Sequence, residues 1–246
     1  MRWKCTCSYD GSDYAGWQKQ PEQLSVQQVI EGVLAKLLKE PVAIQGSGRT
    51  DAGVHALEQV FHFDWDWRHG GKSLVKALHA LLPKSIRVES AVEVDAAFHS
   101  RFSAVSKRYR YRLKLGEADP FQWPYCWPVP AQLDLNLLHA AMQALVGKHD
   151  FAAFAANRGS GLEYETTVRQ LTEAKVSQDG DFVDLCFRAD GFMYKMVRSL
   201  AGTVVNVGLG RLPLSEIVAL LTSAQRAPLV QAAPARGLYL EKVFYS

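Results

Sequence analysis

The chain has 246 residues, 48% of them hydrophobic, enough to bury a substantial core as one large domain or two smaller ones. A formal charge of +3 is only mildly basic, so nucleic-acid binding cannot be argued from the total and must rest on how the charge is distributed. The first residues carry Arg2 and Lys4 without an apolar stretch of signal-peptide length, and no run of about 18 apolar residues occurs, so a cytoplasmic protein is expected.

In chain order, the first strand candidate runs from Trp3 to Tyr9. Ser25 with Gln28 three residues later has capping-box spacing, and Val26, Val29, Ile30, Val33, Leu34, Leu37 and Leu38 recur at helical period until Pro41 stops the pattern. Val42 to Gln45 reads as a short strand. Leu57, Gln59, Phe61, Phe63 and Trp65 then alternate with Glu58, Val60, His62 and Asp64, the period of a half-buried strand. A helix over Leu74 to Leu82 and a strand over Ile86 to Val94 complete a βαββαβ half.

The second half repeats the order. A strand from Lys107 to Leu115 precedes a helix from Leu135 to Val146, capped by Asp134 and stopped by Gly147. Strands Val168 to Ser177 and Phe182 to Asp190, a helix from Tyr194 to Val207, a short helix near Leu214 to Leu221 and a strand from Leu238 to Tyr245 follow. The expected fold class is α+β, two ferredoxin-like halves with mostly antiparallel sheets around a central cleft. The boundary is placed near Arg101, giving domains 1–100 and 101–246, with a junction where a site is commonly found.

Four scattered cysteines do not make a disulfide framework in a chain this long. Cys5 and Cys7 alternate on the first strand and are read as core. No CxxC pair occurs and no histidine cluster stands near Cys126 or Cys186, so no zinc site is expected.

Three segments carry candidate chemistry. The first, Gly46 to Ala56, holds Asp51 among three glycines and between two strand candidates. It lacks the terminal Gly-Lys-Ser/Thr of a phosphate loop, and a strand rather than a helix follows it. Two readings stand: a carboxylate that caps its own turn, as Asp among glycines commonly does, or a catalytic carboxylate two residues from Arg49. His55 is read as a packing or turn residue.

The second segment is Phe98-His99-Ser100-Arg101-Phe102-Ser103-Ala104, followed by Lys107 to Arg112. On a strand, Arg108, Arg110, Arg112 and Lys114 share one face, and Tyr109, Tyr111, Leu113 and Leu115 the other. This is either a basic stripe backed by aromatics, suited to a polyanion that offers bases, or an exposed charged face over a tyrosine core. In the third, Gly191 to Gly202, Met196, Val197, Leu200, Ala201 and Val204 form an apolar stripe with Arg198 on its flank beside Tyr194. Such an arginine either packs its stem under a solvent-facing head or reaches a cleft beside the helix.

Taken in order, these segments resemble the tRNA pseudouridine synthase A family. GRTDAGVHA at Gly48 to Ala56 is similar to its catalytic motif, FHSRFSA with KRYRY at Phe98 to Tyr111 to its second, and GFMYKMVR at Gly191 to Arg198 to its third. Weaker matches at Tyr9-Asp10-Gly11, Tyr14, Gly16-Trp17-Gln18, His149-Asp150-Phe151, Phe154 and Gly237-Leu238-Tyr239-Leu240 extend it over nearly the whole chain. His79 stands where the family has Asn, and Asn157 to Thr167 matches no part of its pattern, so no role is carried onto these residues.

The resemblance implies conversion of uridine to pseudouridine in the anticodon stem-loop of tRNA, with no cofactor and no metal, by a homodimer whose subunits jointly hold one tRNA. It makes Asp51 the catalytic carboxylate, Arg198 the cation favouring its charged form, Tyr109 the aromatic lying against the target base, and Arg49 the residue holding the strand open as the base flips. Arg101, Arg108 and Arg110 are the expected RNA contacts. Asp51, Arg198 and Tyr109 are expected to meet in one cleft. Two rivals are a non-catalytic RNA-binding protein of two ferredoxin-like domains, which has no need of Asp51, and a phosphate-ester hydrolase, which needs further carboxylates near it.

Overall fold

A computed structural model describes residues 1–156 and 164–246. In chain order the elements are β1 (Arg2–Tyr9), α1 (Val26–Leu38), β2 (Gln45–Gly46), β3 (His55–Asp64), α2 (Gly70–Leu81), β4 (Ile86–Val94) and β5 (Ala104–Leu115). They continue as β6 (Trp127–Val129), α3 (Leu135–Gln143), β7 (Gly147–Asp150), β8 (Val168–Asp179), β9 (Phe182–Ala189), α4 (Met196–Gly208), α5 (Ser215–Ser223) and β10 (Leu238–Tyr245). The fold is α+β. Most strand pairs are antiparallel, with parallel pairing of β10 on β3 and of β6 on β5. Of the unmatched stretch Asn157 to Thr167, residues 157–163 lie outside the described residues. No described helix is long and apolar enough to cross a membrane.

The chain forms two compact units, Met1–Val105 with Tyr239–Ser246, and Ser106–Leu238. In the first, the strands lie in the order β4-β1-β3-β10, with β2 also antiparallel on β3. This is the ferredoxin-like order, in which the edge beside β3 is shared: β2 pairs at Phe61 and His62, β10 at His55 and Ala56. On α1, Ser25 Oγ accepts the Gln28 N–H at 3.2 Å, as the capping spacing predicts, and Val26, Ile30, Val33 and Leu34 are buried.

Three expectations for this unit need correction. The strand read at Val42 to Gln45 is paired only at Gln45–Gly46, although Val42 and Ile44 are buried. β3 is not half-buried: Gln59, Val60, Phe61, His62 and Phe63 are all buried, because β3 lies between β1 and the shared edge and both its faces are covered. α2 begins at Gly70 rather than Leu74. Gly70 has φ +75°, and a Cβ on Gly71 would strike the Ala91 carbonyl oxygen, so this pair, outside the expected helix, is what lets the helix start against β4. His79, in the last turn of α2, is tied to the Val88 carbonyl.

The buried polar residue His62 is accounted for locally. Its Nδ1 accepts the Ser100 N–H at 3.2 Å and lies 3.0 Å from Ser100 Oγ, which in turn donates to the Gln45 carbonyl at 2.6 Å. Burial first, then the charges of His99 and Arg2, push its pKa down to about 4. An unfolded histidine titrates near about 6.5, so between about pH 6.5 and 4 the unfolded chain binds a proton that the fold refuses. Stability is therefore expected to fall as pH drops through this window. His62→Gln should flatten the slope by up to about 1.4 kcal/mol per pH unit, one proton's share. Urea midpoints at about pH 5 and about pH 7 for both proteins check this, and parallel pH profiles would refute it.

In the second unit the strands run β5-β9-β8-β7, all antiparallel, with β6 added to β5. Asp134 caps α3 by accepting the N–H groups of Asn136 and Leu137 at 2.8 and 3.0 Å. The helix ends at Gln143, earlier than expected, and Gly147 with φ +133° opens β7 instead of merely stopping a helix. Cys5 and Cys7 are fully buried, as read.

Candidate active site

The Asp51 turn belongs to the first unit. Its own closing bond is main chain: Val54 N–H donates to the Asp51 carbonyl at 3.2 Å, with Gly53 at φ +75° in the position where a turn of this kind needs a left-handed residue. Of the three glycines in the segment, only Gly53 has positive φ. Gly46 is needed for space, since a Cβ there would enter the Trp17 indole, 2.6 Å from its Cε2. Asp51 is half-buried and Arg49 exposed, with Arg49 Nε 3.3 Å from Gln18 Oε1.

Two networks hold this turn. Beneath it, Ser47 and Gln59 are fully buried: Ser47 Oγ donates to Gln59 Oε1 at 2.6 Å, and Gln59 Nε2 donates to the Gly48 carbonyl at 3.0 Å. Beside it, residues 9–18 lie flat against the turn. Trp17 N–H donates to the Thr50 carbonyl, Gly53 N–H to the Tyr14 carbonyl, and Tyr9 Oη meets Thr50 Oγ1 at 2.8 Å. A Cβ on Gly16 would collide with the Thr50 carbonyl oxygen, and one on Gly11 with that of Val54. The weak match around Tyr9 to Gln18 is thus the wall of the Asp51 turn. Gln59 was missed in the sequence because a polar residue in a β-period strand carries no sign of its long-range partner.

His55 is 2% exposed, its Nδ1 accepts the Gly11 N–H at 3.1 Å, and its ring stacks on Tyr239 at 4.8 Å. It packs the base of the turn, as expected. The near approach of Asp10 Oδ1 to the same Nδ1, at 3.2 Å, competes with that bond, and we take the Gly11 N–H as the partner because an amide can only donate. Arg101 is exposed on the turn that joins β4 to β5.

In the second unit, Tyr109 lies on β5 and Arg198 on α4. Tyr109 is 8% exposed and meets Phe192 edge-on at 5.1 Å, so the second and third motifs touch within this unit. α4 starts at Met196, not Tyr194, because Lys195 is left-handed at φ +56°; Arg198 therefore sits in the first turn and Tyr194 precedes the helix. Nor is α4 buried along a stripe alone: of its residues only Arg198 and Asn206 are not buried. Arg198 is anchored, its Nε donating to the Ala233 carbonyl at 2.7 Å while its own carbonyl accepts the Ala233 N–H at 3.0 Å. The adjoining Pro234 carbonyl accepts from Tyr111 Oη at 2.8 Å. Burial pushes the Tyr111 phenol up in pKa, with the charges of Arg198 and Arg236 acting the other way.

Arg108 and Arg110 lie on the face of β5 opposite Tyr109, so the two arginines and the tyrosine cannot grip one base from the same side. Farther along that face the stripe is neutralised: Arg112 pairs with Asp184 through two bonds of 2.8 and 2.7 Å, and Lys114 with Asp181 at 3.1 Å. Among the described residues no group of three or more His, Cys, Asp or Glu could hold a metal ion.

The tRNA pseudouridine synthase family model matches residues 6–103 and 141–246, taking in the Asp51 turn and Arg198. The chain belongs to this family. Tyr109, Arg108 and Arg110 fall between the two matched stretches. The proteins named tRNA pseudouridine synthase A from Exiguobacterium sp. (strain ATCC BAA-1283 / AT1b) and Limosilactobacillus fermentum are each 42% identical to this chain over 99% of its length, covering 98% and 96% of their own. That of Geobacter sulfurreducens is 41% identical, with 98% of each chain covered.

Proposed function

We propose that this chain is a tRNA pseudouridine synthase that isomerises uridine to pseudouridine in the anticodon stem-loop, with Asp51 as its catalytic carboxylate. The family match across the Asp51 turn carries the reading. The reaction breaks the bond from the sugar to ring nitrogen 1 and makes one to ring carbon 5. That carbon loses its proton and nitrogen 1 gains one. Oxidation state is unchanged, so the chemistry calls for no cofactor.

Asp51 acts as nucleophile, toward the sugar or ring carbon 6, or as a base on a sugar proton. Arg198 supplies the guanidinium that favours the carboxylate, and Tyr109 the aromatic face for the target base. Arg49 holds the strand open as the base flips. Arg101 contacts the RNA backbone, and so do Arg108 and Arg110, away from the target base. The working form is a cytoplasmic homodimer, expected to sediment at twice the mass of the 27.4 kDa chain.

Tritium release from tRNA labelled at uridine carbon 5 is the test. Release is expected from unmodified tRNA and lost when the stem-loop uridines are replaced by cytidine. Binding without release from either substrate would favour the non-catalytic RNA-binding reading.

A further inference from the structure

The segment Phe98 to Ser103, in the first unit, is pinned on its inner side and bare on its outer side. Ser100 is fully buried: its N–H donates to His62, its hydroxyl to Gln45, and its carbonyl accepts from Tyr245 Oη at 2.7 Å. His99 closes the turn. Its Nδ1 accepts the N–H groups of Arg101 and Phe102 at 3.1 and 3.3 Å, its carbonyl accepts the Ser103 N–H at 2.9 Å, and its own N–H donates to Ser103 Oγ at 2.9 Å.

What this turn holds outward is Phe102, 75% exposed, with its ring 4.4 Å from that of His99 and the Arg101 guanidinium 5.4 Å from its centroid. An aromatic side chain left in water adds nothing to the core, and a loop with no other duty would not need so many bonds to fix its direction. A ring already oriented, continuous with a second ring and beside a cation, has the chemistry of a stacking platform for a base with its phosphate alongside. Ordering it in advance removes an entropy cost from binding.

We propose that Phe102 and Arg101 form a landing site for one unpaired nucleotide of the RNA substrate other than the target uridine, its base stacked on Phe102 and its phosphate paired with Arg101. The inference rests on the proposed function, since it takes RNA as the substrate. Its test compares wild type, Phe102→Ala, Phe102→Leu, Phe102→Trp and Arg101→Ala as full-length proteins, by filter binding of an unmodified tRNA transcript, tritium release, melting temperature and solution mass.

Phe102→Ala is expected to weaken binding about 5- to 100-fold and to raise KM far more than it lowers kcat, with melting temperature and mass unchanged. Phe102→Trp should keep wild-type binding and Phe102→Leu should not, because bulk without a π face cannot stack. Arg101→Ala should lower the salt-dependence slope by about one. Wild-type binding by Phe102→Ala or by Phe102→Leu overturns the site and leaves the synthase reading intact. A fall in solution mass together with unaltered binding also overturns it, by making Phe102 a contact between copies. Absence of both binding and release in wild type would sink the synthase reading and this site with it.

Discussion

Asp51→Asn is expected to abolish tritium release, lowering it by at least about 10³-fold, while the protein still binds tRNA within a few-fold of wild type. The two side chains are nearly isosteric, so the substitution removes the charge and the basic oxygen without changing volume. Either route proposed for the carboxylate needs that charge. The turn itself should survive, because three of the bonds that shape it run through the main chain: Val54 N–H to Asp51, Trp17 N–H to Thr50, and Gly53 N–H to Tyr14. Single-turnover release and filter binding check the two halves of the prediction. Near-normal release by the variant would remove Asp51 from the chemistry, and would return it to the role of turn residue that local spacing first allowed.

Arg198→Met is expected to cut the single-turnover rate by about 10²-fold or more, the scale of losing a preorganised charged donor. Stability should suffer much less. Methionine keeps the stem that packs in the first turn of α4, and the main-chain bond from Ala233 N–H to the Arg198 carbonyl persists. The losses include the bond from Nε to the Ala233 carbonyl. Such a bond from a charged group is worth about 1.5–3 kcal/mol, a fall in melting temperature of roughly 3–12 °C in a chain of this size. Arg198→Lys keeps the charge without the planar fork and should fall between the two proteins in rate. A rate loss no larger than the loss of folded protein at the assay temperature would make Arg198 a structural anchor of the 231–234 segment and nothing more.

Much of the local structure could be read directly. The period of 3.6 with Ser25 and Gln28 placed α1, and Asp134 placed the start of α3, because caps and amphipathic spacing are satisfied within a few residues. Alternation placed β5 and put Tyr109 and Arg110 on opposite faces. The errors share one cause. Gly70 and Gly71 fall outside the helix expected from Leu74, because what accounts for them is the Ala91 carbonyl pressing on Gly71 from another strand. β3 looked half-buried because its second cover comes from elements that its own sequence does not describe. Lys195 cut the start of α4 by adopting a left-handed conformation that a helical pattern does not announce.

The same division runs through the candidate site. The sequence by itself offered Asp51, Arg198, Tyr109 and Arg101 as candidates, each with a plain structural reading beside the functional one, and the roles came from the resemblance of three segments taken in order. It also carried the family to which the chain belongs. Only the tertiary structure decided how the Asp51 turn is held: the buried Ser47 and Gln59 pair beneath it, the close approach of Gly11 and Gly16 beside it, and the return of β10 to pair with β3 at His55. Those contacts join residues far apart in the chain, and a hydrogen bond or a missing Cβ leaves no periodic trace at either end. Composition and spacing record what each segment buries, and the partner that it buries against is chosen only when the chain closes.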